Sequence, residues 1–135
     1  MINRYKQLNG IALAYLGDAV YELYIREYLI SKGYSKPSYL QHLSTHFVSA
    51  KAQAYLISEM NKNNLLNEEE KFYFKKGRNS KSYTKAKNTD VMTYRISTGF
   101  EAILGYLKLA NKNKRLSYLI SWCIKCIVKK DGCID

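Results

Sequence analysis

The sequence predicts a single all-α domain that spans residues 1–135. Its length suits one ordinary domain, and 47% of its residues are hydrophobic, which is enough to form a core. Seven glycines and one proline provide few of the turns that an all-β fold needs. Apolar residues instead recur three or four positions apart through most of the chain, which is the spacing of one face of an α-helix. We therefore expect a helical bundle.

The first helix is expected to run from Asn9 to Ser31 and to stop at Gly33, since glycine suits a helix C-terminus. Apolar residues cover most of its circumference, yet it contains Asp18. An ionised carboxylate in such surroundings needs a hydrogen bond, an opposite charge or a metal ion. Gly17 costs about 1 kcal/mol relative to alanine within a helix. Its presence indicates the close approach of another backbone or of a ligand.

Four further helical regions are expected. The first begins at Pro37 and keeps a helical period to about Met60, with a break near Thr45 and His46. The second begins after Asn67, which is expected to form a capping box with Glu70. The third and fourth extend over about 91–109 and about 115–130.

The helix expected over 91–109 carries a second unexplained acid. Glu101 lies within an apolar stripe, has no basic residue three or four positions away, and is flanked by Gly99 and Gly105. Asp18 and Glu101 are therefore candidates to meet in the fold. Together they suit Mg²⁺, which takes one or two protein carboxylates and keeps its other positions for water and substrate phosphates. Both acids could instead be structural.

Glu22 lies one turn after Asp18 and four residues before Arg26. A helix-surface ion pair with Arg26 is its simplest interpretation, and a supporting role behind Asp18 stays open.

The histidines and cysteines have simpler interpretations than a metal site. His42 and His46, with Cys123 and Cys126, formally supply four zinc ligands, but their order and spacing fit no compact zinc finger. Cys133 makes the cysteine count odd, so we expect reduced thiols. The CxxC pattern formed by Cys123 and Cys126 is assigned to helix packing.

The segment 75–95 concentrates positive charge. It holds seven basic residues against one acid, Asp90, a net charge of +6 in a chain of net charge +11. Much of it, over 77–84, is expected to be an irregular loop whose polar side chains suit phosphate oxygens. The candidate nucleic-acid contacts are Lys75, Lys76, Arg78, Asn79, Lys81, Lys85 and Lys87. A solvated lysine-rich loop is the alternative, because the excess of lysine could also reflect an AT-rich genome.

The N-terminus lacks the apolar segment of a signal peptide, and no run approaches the roughly 20 apolar residues of a membrane span. We expect a cytoplasmic protein with no membrane partner.

The segment 16–22 resembles the signature helix of ribonuclease III, and 100–105 resembles that family's second acidic helix. The segments 12–22, 47–54, 77–81 and 94–105 together look like the Mini-III branch, which has a catalytic domain but no double-stranded-RNA-binding domain. Asp18 matches the catalytic aspartate and Glu101 matches the metal-binding glutamate. The resemblance covers essentially the whole chain.

This resemblance implies an all-α homodimeric endonuclease that hydrolyses double-stranded RNA with Mg²⁺, for which Mn²⁺ may substitute. Each subunit would cut one strand and leave a 5′-phosphate, a 3′-hydroxyl and a short 3′ overhang. The implied substrate is the paired ends of precursor 23S ribosomal RNA.

The chain departs from the full-length ribonuclease III pattern at three positions. Ile11, Ala14 and Thr98 stand where that pattern has acids. The fewer acids agree with the Mini-III branch and leave the number of metal ions open. A non-catalytic helical RNA-binding protein that uses Asp18 and Glu101 structurally is the competing hypothesis, and a purely structural helical protein is the third.

Overall fold

The structure is a computed structural model that describes residues 4–80 and 90–132, and every regular element in these ranges is helical. A short 3₁₀ helix at Arg4–Lys6 precedes six α-helices. These are α1 (Gly10–Ser31), α2 (Pro37–Val48), α3 (Ala50–Lys62), α4 (Glu68–Arg78), α5 (Val91–Leu109) and α6 (Asn113–Asp131). The predicted all-α fold is confirmed.

Helix α5 is the centre of the bundle, and α1, α3 and α4 pack around it. Between Ser97 and Leu107 every residue except Glu101 is buried. Large side chains such as Phe100 and Tyr106 fill the core from this helix. The expected helix is therefore present, and Glu101 is the one carboxylate on its buried stretch.

Helices α1 and α5 approach each other so closely that glycine is required on both. A Cβ atom added to Gly17 would overlap the carbonyl oxygen of Glu101 and lie 2.7 Å from its carbonyl carbon. A Cβ at Gly105 would meet the carbonyl group of Leu13 in the same way, with its carbon 2.8 Å away. The close approach predicted for Gly17 is confirmed, and the backbone that approaches is that of Glu101.

Several predicted helix ends are confirmed by the groups that cap them. The Asn9 side chain accepts a hydrogen bond from the Ala12 amide at 2.8 Å, and α1 ends before Gly33, whose φ is +94°. Asn67 and Glu70 form the expected capping box of α4.

Other boundaries differ from the prediction. The break between α2 and α3 lies at Ser49, not near Thr45 and His46, because the Ser49 hydroxyl caps α3 by accepting a hydrogen bond from Ala52 at 3.1 Å. Helix α4 continues through Gly77 and Arg78, which were expected to be in a loop. Gly77 is held by its packing on α5, where an added Cβ would lie 2.8 Å from the Thr98 carbonyl oxygen. Residues 81–84 of the predicted loop lie outside the described residues.

Helix α6 is longer than predicted at both ends, since it begins at Asn113 and ends at Asp131. It packs Cys123 in the core and leaves Cys126 half-buried, and both thiols are free. Burial raises the pKa of the Cys123 thiol well above its usual range. The helix-packing interpretation of these two cysteines is confirmed, whereas Cys133 lies outside the described residues.

A partly buried ion pair connects α4 to α6. The Glu70 carboxylate is 1% exposed and accepts two hydrogen bonds from the Arg115 guanidinium, each 2.8 Å long. Arg115 also donates to the carbonyl oxygen of Leu65 at 2.8 Å. Glu70 shows how this chain compensates a carboxylate in its core, with a two-pronged arginine contact.

None of the helices within the described ranges combines the length and the apolar character needed to cross a bilayer.

Candidate active site at the crossing of two helices

Asp18 and Glu101 are brought together where α1 crosses α5. The glycine contact between Gly17 and the Glu101 backbone places the next residue of α1, Asp18, beside the Glu101 side chain. The Asp18 carboxyl is close enough to act on Glu101 both by its charge and by a hydrogen bond. Asp18 is exposed, and Glu101 is partly buried behind it. The structure thus produces the convergence that the sequence suggested.

The environment of Glu101 disfavours its ionised form. Burial is the main reason that its pKa rises from 4.5 to about 8, and the negative charge of Asp18 is the next. A hydrogen bond from Gln53 acts in the opposite direction, and Glu22 adds a smaller repulsion. Within the described residues neither Asp18 nor Glu101 forms an ion pair. Among the residues that the structure describes, no protein cation therefore compensates this pair of acids.

Glu22 is held on the surface of α1 by Arg26, whose Nε donates to its Oε2 at 3.3 Å. The predicted helix-surface pair is therefore present. Glu22 also lies near enough to Glu101 to raise the pKa of that carboxyl. It belongs to the electrostatic surroundings of the site.

Gln53 is the site residue to which the sequence analysis assigned no role. Its Nε2 donates hydrogen bonds to Glu101 Oε2 and to the carbonyl oxygen of Val48, both at 3.2 Å. The signal was available in the sequence, because Gln53 precedes Leu56 and Ile57 by three and four residues and so shares their buried helix face. An amide at such a position indicates a buried hydrogen-bond partner.

The basic end of α4 lies beside the turn of α5 that carries Glu101. The glycine at position 77 packs against Thr98 and Ala102, which are three residues before and one residue after Glu101. Lys75 and Asn79 are exposed at this end of α4.

Two of the predicted RNA-binding cations are partly engaged within the protein. Lys76 donates to the carbonyl oxygen of Lys6 at 3.4 Å, and the Arg78 guanidinium lies over the Phe74 ring, 5.5 Å from its centroid. The other three predicted cations, Lys81, Lys85 and Lys87, lie outside the described residues.

The pair of carboxylates fits a hard divalent cation. Carboxylate oxygens are the ligands that Mg²⁺ prefers, and one or two of them suffice when water and phosphate complete its coordination. Within residues 4–80 and 90–132, no group of three or more His, Cys, Asp or Glu side chains is arranged to hold a metal ion. His46, one of the formal zinc candidates, instead contacts Asp131, with Nδ1 and Oδ2 2.8 Å apart.

Replacing Glu101 with glutamine is expected to stabilise the metal-free protein at high pH. Because the pKa of Glu101 is raised to about 8, the unfolded chain loses this proton at lower pH than the folded chain does. The wild type therefore loses stability as pH rises from about 4.5 to about 8. The free energy of unfolding of Glu101→Gln, measured with urea in EDTA, is expected to exceed that of the wild type by about 4 kcal/mol at pH 8 and by less than about 1 kcal/mol at pH 5.

The control is Glu27→Gln, which changes an exposed acid on α1. An advantage of Glu101→Gln that is equal at both pH values would contradict the raised pKa.

Comparison with known proteins assigns the chain to a family. The Ribonuclease III domain profile matches residues 11–112. Proteins called Mini-ribonuclease 3 from Enterococcus faecalis and Streptococcus pneumoniae are 59% and 56% identical over 121 and 118 residues, which cover 90% and 87% of this chain and 92% of each relative. The Mini-ribonuclease 3 of Staphylococcus aureus is 44% identical over 125 residues, or 93% of both chains.

A crystal structure of a protein from Fusobacterium nucleatum superposes with a TM-score of 0.77 at 33% identity and covers 90% of this chain and 96% of that one. Sequence and fold thus agree over most of the molecule. The chain therefore belongs to the ribonuclease III family, in its Mini-ribonuclease 3 branch, and is an endoribonuclease.

Proposed function

We propose that this protein is a Mg²⁺-dependent endoribonuclease that cuts double-stranded RNA at a site formed by Asp18 and Glu101. The observation that carries the proposal is the pair of carboxylates at the crossing of α1 and α5, which forms no ion pair in the part of the chain that the structure describes. Burial and the neighbouring Asp18 carboxylate make the ionised form of Glu101 costly unless a cation joins the two acids. The proposed domain is the whole chain, residues 1–135.

Asp18 and Glu101 are the residues that would hold the cation, and Mn²⁺ could replace Mg²⁺ because both accept oxygen ligands. When bound, such a cation activates water and offsets charge on the phosphodiester. Asp18 is exposed and so faces the solvent side from which a phosphate would arrive. Glu101 lies deeper and would supply a second negative charge once a cation displaces its proton.

The RNA is proposed to lie along the basic surface at the end of α4 and the segment that follows it. Duplex RNA is gripped by its shape, its phosphates and its 2′-hydroxyls, because its major groove is too narrow for side chains to read. Lys75 and Asn79 are exposed there, and Lys76 and Arg78 are partly exposed. Lys81, Lys85 and Lys87 complete the proposed surface.

A homodimer is proposed because α1 exposes an apolar stripe next to the site. Tyr15 and Leu23 are 84% and 56% exposed, and Ala19 lies between them on the same helix face. Apolar side chains exposed in a row indicate an interface. Two subunits would each cut one strand and leave 5′-phosphate and 3′-hydroxyl ends. The proposed substrate is the paired ends of precursor 23S ribosomal RNA in the cytoplasm.

Cleavage of a duplex RNA tests the proposed site. We expect the purified protein with Mg²⁺ to cut it, and Asp18→Asn to lower kcat/KM by roughly a hundredfold or more, as loss of one charge-stabilising group commonly does. Glu27→Gln, on the same helix and also exposed, should cut like the wild type. If Asp18→Asn cuts as well as the wild type, the two acids are structural and the chemistry lies elsewhere.

Neutralising Lys75 and Arg78 together as Lys75→Gln/Arg78→Gln is expected to raise KM several-fold with a smaller effect on kcat. The slope of log affinity against log salt concentration should become shallower by about two, because each phosphate contact contributes about one unit. Binding is measured by fluorescence anisotropy at several salt concentrations.

The matched control is Lys125→Gln/Lys129→Gln, which removes two exposed lysines from α6. An equal change in slope for both double variants would show that overall charge, and not the α4 surface, binds the RNA.

Leu23→Glu is expected to convert a dimer into a monomer, since it puts a charge into the proposed interface. Leu23 is 56% exposed, so the fold of each subunit should persist. Sedimentation velocity gives the mass of each variant and circular dichroism its helicity. Phe72→Glu, which changes an exposed apolar residue on α4, serves as the control. A wild type that sediments as a monomer at all concentrations contradicts the dimer.

A further inference from the structure

Gln53 is an amide in a place where an apolar side chain would be less costly. It is 1% exposed and shares a helix face with Leu56 and Ile57 of the core. Its Oε1 is buried and has no hydrogen-bond partner among the described residues. An unsatisfied buried acceptor destabilises the folded state, and leucine or methionine would avoid that cost. The presence of the Nε2 donor at this buried position therefore calls for a functional explanation.

The orientation of the Gln53 amide is set by the backbone. Its Nε2 donates to the carbonyl oxygen of Val48 at 3.2 Å. A carbonyl oxygen only accepts hydrogen bonds, so the nitrogen must face it, and a rotation that exchanges Nε2 and Oε1 would bring two acceptors together. Val48 is the last residue of α2. The junction between α2 and α3 thus anchors the amide.

The same nitrogen also donates to Glu101 Oε2 at 3.2 Å. Because the Val48 carbonyl prevents the exchange, Glu101 always meets an N–H donor at this oxygen. Oε2 of Glu101 is therefore held by this hydrogen bond, and Oε1 of the same carboxylate is not.

We propose that Gln53 is a positioning residue, which holds Glu101 Oε2 by a backbone-anchored amide so that the carboxylate keeps the orientation in which it meets Asp18 and a divalent cation. This proposal rests on the proposed function. It gives the endonuclease site a third residue, from α3, that does not itself touch the cation.

A neutral donor suits this task better than a cationic one. Glu70, whose role is structural, is neutralised by the Arg115 guanidinium through two hydrogen bonds of 2.8 Å. A similar partner at Glu101 would cancel the charge that attracts a cation. The amide orients the carboxylate and does not cancel the charge that Glu101 takes on when it binds a cation. Glu70 thus has a cationic partner that neutralises it, whereas Glu101 has a neutral partner that only orients it.

The test is Gln53→Met, which keeps the length of the side chain and removes its donors. The affinity of the RNA-free protein for Mn²⁺, measured by calorimetry, should fall about 10–100-fold, which is the usual effect of losing a group that orients a metal ligand. In cleavage assays the Mg²⁺ concentration for half-maximal rate should rise, whereas KM for RNA stays unchanged. The variant should remain folded, because removal of the unsatisfied buried Oε1 offsets part of the cost of leaving the Val48 carbonyl and Glu101 Oε2 without this donor.

Two comparisons separate positioning from general support of the core. Tyr21→Phe removes another buried oxygen that lacks a partner in the described structure, and it should leave Mn²⁺ affinity unchanged. Gln53→Met added to Glu101→Ala should lower Mn²⁺ affinity no further than Glu101→Ala alone, because Gln53 acts through Glu101. An additive loss would overturn the proposal.

Gln53→Leu is a second variant without donors. If either variant folds and matches the wild type in Mn²⁺ affinity and Mg²⁺ dependence, Gln53 positions nothing. If both fail to fold, the amide supports the core and the proposal also fails. If the wild type binds Mn²⁺ but does not cut duplex RNA, the proposed function fails, and the Mn²⁺ measurements still decide the role of Gln53.

Discussion

The backbone contact between α1 and α5 is the constraint on which the rest of the structure depends. Gly17 and Gly105 let each helix press on the carbonyl groups of the other, so the two helices cross at a distance that no other residue allows. This crossing puts Asp18 beside Glu101 and keeps the second acid partly buried. The proximity of the two carboxylates is thus a consequence of packing between main chains, which is more rigid than contact between long side chains.

Two glutamates of this protein face its interior, and their partners distinguish them. Glu70 lies in a capping box and receives the Arg115 guanidinium, so its charge is compensated within the fold. Glu101 has an acid and an amide as its neighbours, and its pKa is raised to about 8. A fold that retains such a destabilised carboxylate gains something other than stability from it. In a ribonuclease III family member, we propose that this gain is the binding of a catalytic cation.

A basic surface and an apolar surface lie on the helices around the crossing of α1 and α5, and both suit the proposed dimer on duplex RNA. Lys75 and Asn79 lie at the basic end of α4, which packs against the turn of α5 that carries Glu101. Tyr15 and Leu23 form an apolar stripe on α1, the helix that carries Asp18. The proposed RNA surface and the proposed subunit interface therefore both begin at elements that form the carboxylate pair.

The sequence by itself determined that the chain is helical, where most of its helices lie, the caps at Asn9 and Asn67, and the two anomalous acids. Helical periodicity, Asn9, and the Asn67–Glu70 capping box are local signals, and local signals are readable without a fold. Gly17 was recognisable as a point of close approach to another segment, because glycine destabilises a helix and packing must offset that cost. The family resemblance depended on the same segments, which is why it pointed to Asp18 and Glu101.

Only the tertiary structure decided what compensates each buried polar group. Gln53 gained a role because Val48 and Glu101, which are 5 and 48 residues away, meet its nitrogen. The end of α4 at Arg78 likewise depended on packing against α5, and a loop was the local expectation there. Hydrogen bonds and close contacts between distant segments leave no periodic trace in a sequence, since they arise only when packing brings those segments together.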